Sequence, residues 1–153
     1  MRNTVCLNGH WDFLPIYDDA LSFEDALARG GWIRDRYLVP SSWRSTREMY
    51  NIFNYPAEWD NARRGALRRR ISVPRRPGER VFLRLDAVGQ SCRVLLDVQE
   101  IAETDDMFLP LEVELTPYLS PGENEAEITV LCGEIPKVTR PDGAVKNLAP
   151  AGT

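Results

Sequence analysis

The chain has 153 residues, 43% apolar and 27% charged, and 19 Lys and Arg against 23 Asp and Glu leave a net charge of −4. That length fits about one domain, and the apolar share fills a core, which excludes a disordered chain. Mild acidity argues against nucleic acid or an anionic membrane as partner, and no stretch reaches the roughly 20 apolar residues of a membrane-spanning helix.

The first elements are short. Trp11-Asp12-Phe13 reads as a strand, residues 21–29 as a helix, and residues 33–39 as a second strand. Ser22 is placed to cap the helix, with Glu24 and Asp25 in its first turn. Residues 45–65 form a long connection rich in aromatics and amides, including Tyr50, Asn51, Phe53, Asn54, Tyr55 and Trp59. Connections of this length inside a domain tend to carry function.

From Leu67 to Cys132 alternation dominates. Leu67, Ile71 and Val73 share one face; Val81, Leu83 and Leu85 form a second stripe; Cys92, Val94, Leu96 and Val98 a third. Leu111-Glu112-Val113-Glu114-Leu115 alternates without a break, and Ala126, Ile128, Val130 and Cys132 face away from Glu125, Glu127 and Thr129. A period of two marks strands with one buried face. Turn chemistry separates them, at Pro74-Arg75-Arg76-Pro77-Gly78 and Ser120-Pro121-Gly122-Glu123-Asn124. The expected fold is all-β, an antiparallel β-sandwich over residues 1–132. Residues 133–153, with few large apolar side chains, read as a linker toward further domains.

Catalytic equipment is sparse. His10 is the single histidine, and no GxSxG, HExxH, GxGxxG or GxxxxGK[ST] occurs. No metal site, cofactor or catalytic residue is expected within the chain. Cys6, Cys92 and Cys132 lack CxxC spacing and read as buried thiols of a reducing compartment. With no secretory segment at the N-terminus, the expected location is the cytoplasm.

Five segments in order resemble the N-terminal, sugar-binding domain of family 2 glycoside hydrolases, the β-galactosidase and β-glucuronidase family. They are Leu7-Asn8-Gly9-His10-Trp11-Asp12-Phe13, Val39-Pro40-Ser41-Ser42-Trp43, Arg69 with Ile71-Ser72-Val73-Pro74, Leu85-Asp86-Ala87-Val88, and Leu115-Thr116-Pro117-Tyr118-Leu119-Ser120-Pro121-Gly122-Glu123-Asn124. The resemblance implies a jelly-roll, galactose-binding-like domain. It also implies downstream immunoglobulin-like and barrel domains, the barrel holding the two catalytic glutamates. The chain departs from the family at Ala66-Leu67, where Trp-Tyr is usual. A second departure is the hairpin Asp97-Val98, where Asn-Gly is usual.

The expected role is therefore a scaffold for a hydrolase acting on β-linked sugars. A stand-alone carbohydrate-binding module and a purely structural subunit-contact domain are the alternatives. Tyr50 and Asn51 are the candidate carbohydrate contacts, since aromatic faces stack on sugars and amides bond hydroxyls; packing of the loop on the domain is the other reading. Arg69, in phase with Leu67 and Ile71, is either a clamp to a carboxylate or a ligand contact. Trp11 and Trp43 are expected as core anchors. Arg68 and Arg70 are expected outward, paired with the glutamates of neighbouring strands.

Overall fold

A computed structural model describes residues 4–43, 53–86, 88, 91–105, 109–134, 137–139 and 145–147. The chain divides into two units, Met1–Arg68 and Arg69–Thr153.

The first unit holds strand β1 (Gly9–Ile16), helix α1 (Phe23–Arg29), strand β2 (Ile33–Val39) and the opening of strand β3 (Arg64–Arg75). Helix α1 starts where the sequence places a cap, with the Ser22 hydroxyl accepting from the Asp25 amide at 3.1 Å. Its buried residues, Phe23 and Ala26, are three apart and share a face. Strand β1 is central, antiparallel to β2 on one side and to β3 on the other. That position buries both of its faces: Trp11 and Phe13, but also Leu14 and Ile16.

The β1–β2 register slips between Trp11 and Phe13, and Asp35 sits in the slipped stretch with φ 52°. One carboxylate ties the three strands together. Asp12 Oδ1 accepts from the Asp35 amide at 3.1 Å, while Oδ2 pairs with Arg68 Nε at 3.0 Å. Trp32 lies under the same guanidinium, 4.2 Å from ring centroid to Arg68 Cζ. Arg68 therefore does not point to solvent, as its phase suggested; its partner is 56 residues away, beyond the reach of local pattern.

The second unit holds the remainder of β3, then β4 (Phe82–Leu85), β5 (Ser91–Leu96), β6 (Gln99–Thr104), β7 (Leu111–Glu114), β8 (Gly122–Glu134), β9 (Lys137–Thr139) and β10 (Val145–Asn147). Strand order is β3-β8-β5-β6, with β4–β7 and β9–β10 as separate antiparallel pairs. The alternates Cys92, Val94, Leu96, Ala126, Ile128, Val130 and Cys132 are buried as the pattern predicts. Two positions differ. Thr129 is buried, because β8 lies between β3 and β5 and its segment 128–132 is covered on both faces. Val98 is 92% exposed, because β5 ends at Leu96 and Val98 belongs to the turn.

That turn works without the family's glycine. Asp97 takes the left-handed conformation, φ 55°. Its amide donates to the Glu127 carbonyl at 2.7 Å, and its Oδ1 accepts from the Glu127 amide at 3.0 Å. The glutamates of β7 pair with β4 and the turn before it rather than with Arg68 or Arg70: Glu114 with Arg80 at 2.6 Å and Glu112 with Arg84 at 3.9 Å.

The Pro-Gly-Glu-Asn turn into β8 is braced by one amide side chain. Asn124 Oδ1 accepts from the Ser120 amide at 2.9 Å, and Nδ2 donates to the Ser120 and Gly122 carbonyls at 2.8 and 3.1 Å. Asn124→Ala is expected to cost about 1 kcal/mol, since surface bonds are largely replaced by water. A urea titration checks this.

Candidate functional site

The region singled out for carbohydrate contact is the connection after β2. Tyr50 and Asn51 lie outside the described residues, but the chain on either side of residues 44–52 is described. The flanking residues are tied down by hydrogen bonds. The Tyr55 hydroxyl accepts from the Leu38 amide at 2.8 Å and shares a 2.8 Å hydrogen bond with Ser41 Oγ. The Tyr37 hydroxyl donates to the Ser41 carbonyl at 2.7 Å. Trp43 Nε1 donates to the Ala62 carbonyl at 2.8 Å.

Arg36 fastens the returning chain. It donates to the Asn54 carbonyl at 2.5 Å and to the Phe53 carbonyl at 3.5 Å, with its guanidinium 5.6 Å from the centroid of the Tyr55 ring. Asn54 accepts the left-handed conformation there, φ 53°.

Beneath these bonds lies an aromatic core. Phe13, Tyr37, Tyr55 and Trp59 are buried together, with Trp43 and Phe53 packed against them. Phe13 and Trp59 meet edge to face at 4.7 Å, and Phe53, Tyr55 and Tyr37 stack in sequence at 5.4 Å spacings. Trp59 is 1% exposed and Tyr55 3%. The four buried rings, Phe13, Tyr37, Tyr55 and Trp59, have no open face to lie flat on a sugar. Their polar atoms bind main chain, which adds direction to the packing. Phe53, Tyr55 and Trp59 therefore tie the chain after residue 52 into the core of the first unit.

The other residues singled out in the sequence lie as follows. Trp11 is buried, and its Nε1 donates to the Leu7 carbonyl at 2.8 Å. Trp43 is half-buried against Phe13, with ring centroids 5.4 Å apart. Arg69 is half-buried on β3, one position on from the Asp12-bound Arg68. His10 is exposed opposite Leu38.

No group of three or more His, Cys, Asp or Glu side chains able to hold a metal exists among the described residues. Carboxylates are committed to arginines: Asp12 to Arg68, Asp19 to Arg63, Glu100 to Arg93 and Glu114 to Arg80. Arg36 escaped the sequence reading because it grips carbonyls 17 and 18 residues away. Trp59 was legible only as one aromatic among several; its place at the centre of the cluster comes from tertiary packing.

The thiols divide. Cys6 is exposed, contrary to expectation, since it precedes the first residue of β1 and no strand face covers it. Cys92 and Cys132 are buried. Burial pushes the Cys92 thiol up to about 11; burial, with Cys92 beside it, pushes Cys132 up to about 12. Unfolded thiols ionise near 9, so between pH 9 and 12 the unfolded chain holds fewer protons and stability falls as pH rises. A Cys92→Ala/Cys132→Ala variant is expected to lose stability less steeply over that window, measured as Tm against pH.

The sequence model of the family described as glycosyl hydrolase 2 galactose-binding domain-like matches residues 48–137, more than half of the chain. Among solved structures, a β-glucuronidase from an uncultured Clostridium species is similar with a TM-score of 0.63 at 24% identity, over 84% of this chain and 22% of that one. The Faecalibacterium prausnitzii β-glucuronidase aligns with a TM-score of 0.59 at 26% identity, over 84% of this chain and 20% of its own. A Ruminococcus gnavus β-glucuronidase in complex with D-glucuronic acid gives 0.63 at 18% identity, over 91% and 25%. No curated protein matches. The chain thus spans a fifth to a quarter of the length of these relatives. The antiparallel strands, the turns that carry the sequence motifs and the matched span agree: the chain belongs to the galactose-binding-like β-sandwich domains of family 2 glycoside hydrolases.

Proposed function

We propose that this chain is the leading, non-catalytic domain of a retaining β-glycosidase of the β-glucuronidase type. Its role is to brace the catalytic barrel and to hold the segment around Tyr50 and Asn51 at the rim of the sugar pocket. The chain beyond β8, which carries the β9–β10 pair, leads toward the immunoglobulin-like and barrel domains of the same protein. The three cysteines, none disulfide-bonded, suit a reducing, cytoplasmic setting.

The observation that carries this reading is the family match, joined to relatives that are β-glucuronidases several times longer. Retaining hydrolysis needs two carboxyls facing each other about 5–5.5 Å apart across the bond. Here Asp12, Glu100 and Glu114 serve arginines instead. Fixed neighbours, Trp43 before residue 44 and Asn54 and Tyr55 after residue 52, suit a segment that must be presented in one place.

Calorimetric titration with methyl β-glucuronide and methyl β-galactoside tests the bracing role. No heat of binding at millimolar sugar is expected. Saturable binding would overturn the bracing role in favour of a stand-alone carbohydrate-binding module.

A further inference from the structure

Cys92 on β5 and Cys132 on β8 are directly opposed partners in an antiparallel ladder, and both are buried, at 1% and 5% exposure. Opposed residues in such a ladder have Cα atoms about 4.5 or 5.5 Å apart and side chains on one face. Disulfides bridge Cα separations of about 4.4–6.8 Å. Either kind of pair therefore falls within bridging range without a change of register.

A bulge sits beside the pair. The register slips between Ser91 and Cys92, since Ser91 faces Glu134 while Cys92 faces Cys132. Gly133 is the extra residue, with φ 93°. The thiols thus occupy the last regular rung before the ladder is interrupted, where strands separate at least cost.

We propose that Cys92 and Cys132 form a redox-sensitive strap, a dithiol in the reduced protein that closes to a β5–β8 cross-strand disulfide when a small-molecule disulfide is present. The step balances as thiol–disulfide exchange. One thiolate attacks the oxidant's S–S bond and releases one small thiol; the second thiolate attacks the mixed disulfide and releases another. One S–S bond breaks, one forms, and the two protein protons leave on the released thiols. Because both thiols are buried and held protonated, the folded protein reacts slowly, and closure runs through opening at the bulge or through refolding. Exposed Cys6 is the internal standard.

The test uses oxidised glutathione on the full chain. Added to folded protein, it is expected to modify Cys6 at least tenfold faster than it links Cys92 to Cys132. Added during refolding from guanidinium, it is expected to give a Cys92–Cys132 cross-linked peptide by mass mapping. That protein should have a Tm several degrees above the dithiol form, reversed by dithiothreitol. Cys132→Ala and, separately, Cys92→Ala should each abolish the Tm gain. Refolded protein with both thiols still alkylatable, or with Cys6 as the bridged partner, would overturn the strap. So would a cross-linked protein with an unchanged or lowered Tm.

Discussion

Trp59→Ala is expected to cost about 3–5 kcal/mol, the range for emptying a large buried aromatic site. Trp59 is 1% exposed and touches three other rings: Phe13 at 4.7 Å, Tyr55 at 4.8 Å and Tyr37 at 6.4 Å between centroids. Removing it leaves a cavity that rigid neighbours cannot close, and it frees Tyr55, whose hydroxyl holds Leu38 and Ser41. The loss should therefore appear both in the urea midpoint and in faster amide exchange at Leu38. Trp32→Ala serves as the control. Trp32 is only half-buried and stacks on one guanidinium, so its removal should cost about 1 kcal/mol. Equal losses for the two tryptophans would refute the aromatic cluster as the core of the first unit.

Gly65→Ala is the second large effect, and it comes from a single added methyl group. A Cβ at Gly65 would stand 2.7 Å from Phe13 Cε2 and 3.3 Å from Cζ. Gly65 is not among the positive-φ glycines, so the cost is steric. Phe13 is fully buried and wedged among Tyr37, Trp43 and Trp59, which leaves its ring no free direction. Overpacking of this kind costs about 1–3 kcal/mol. The same methyl should be tolerated better once the ring is trimmed. In a double-mutant cycle with Phe13→Leu, the added cost of Gly65→Ala is expected to fall by at least half. An undiminished cost would place the clash elsewhere.

Much of the architecture was legible because it is local. Alternation reports which side chains share a face, and Val94, Leu96, Ile128 and Val130 are buried accordingly. Ser22 caps its helix because the capping bond spans three residues. What was not legible depends on which strands become neighbours. Thr129 carries a polar side chain that would suit a solvent face, yet β8 lies inside its sheet and is covered twice. Arg68 reads as an outward cation, yet Asp12 lies across the β1–β3 rung from it. Val98 continues the stripe of β5 on paper, but Asp97 turns left-handed and ends the strand first.

The candidate site divides the same way. Composition marked residues 45–65 as something other than a strand; the 3₁₀ turn at Ala57–Asn61 fits that, but β3 already begins at Arg64. That Tyr55 and Trp59 pack inward rather than stack on sugar depends on burial, which no one-dimensional pattern reveals. Arg69 lies half-buried on β3. Tyr50 and Asn51 remain the residues through which carbohydrate contact is proposed.

The most direct measurement is hydrolysis of aryl β-glucuronides and aryl β-galactosides by the purified chain alone. Release of the aryl alcohol is expected to match the rate in buffer at every protein concentration. Turnover proportional to protein, retained through further purification, would contradict a domain that supports chemistry carried out elsewhere.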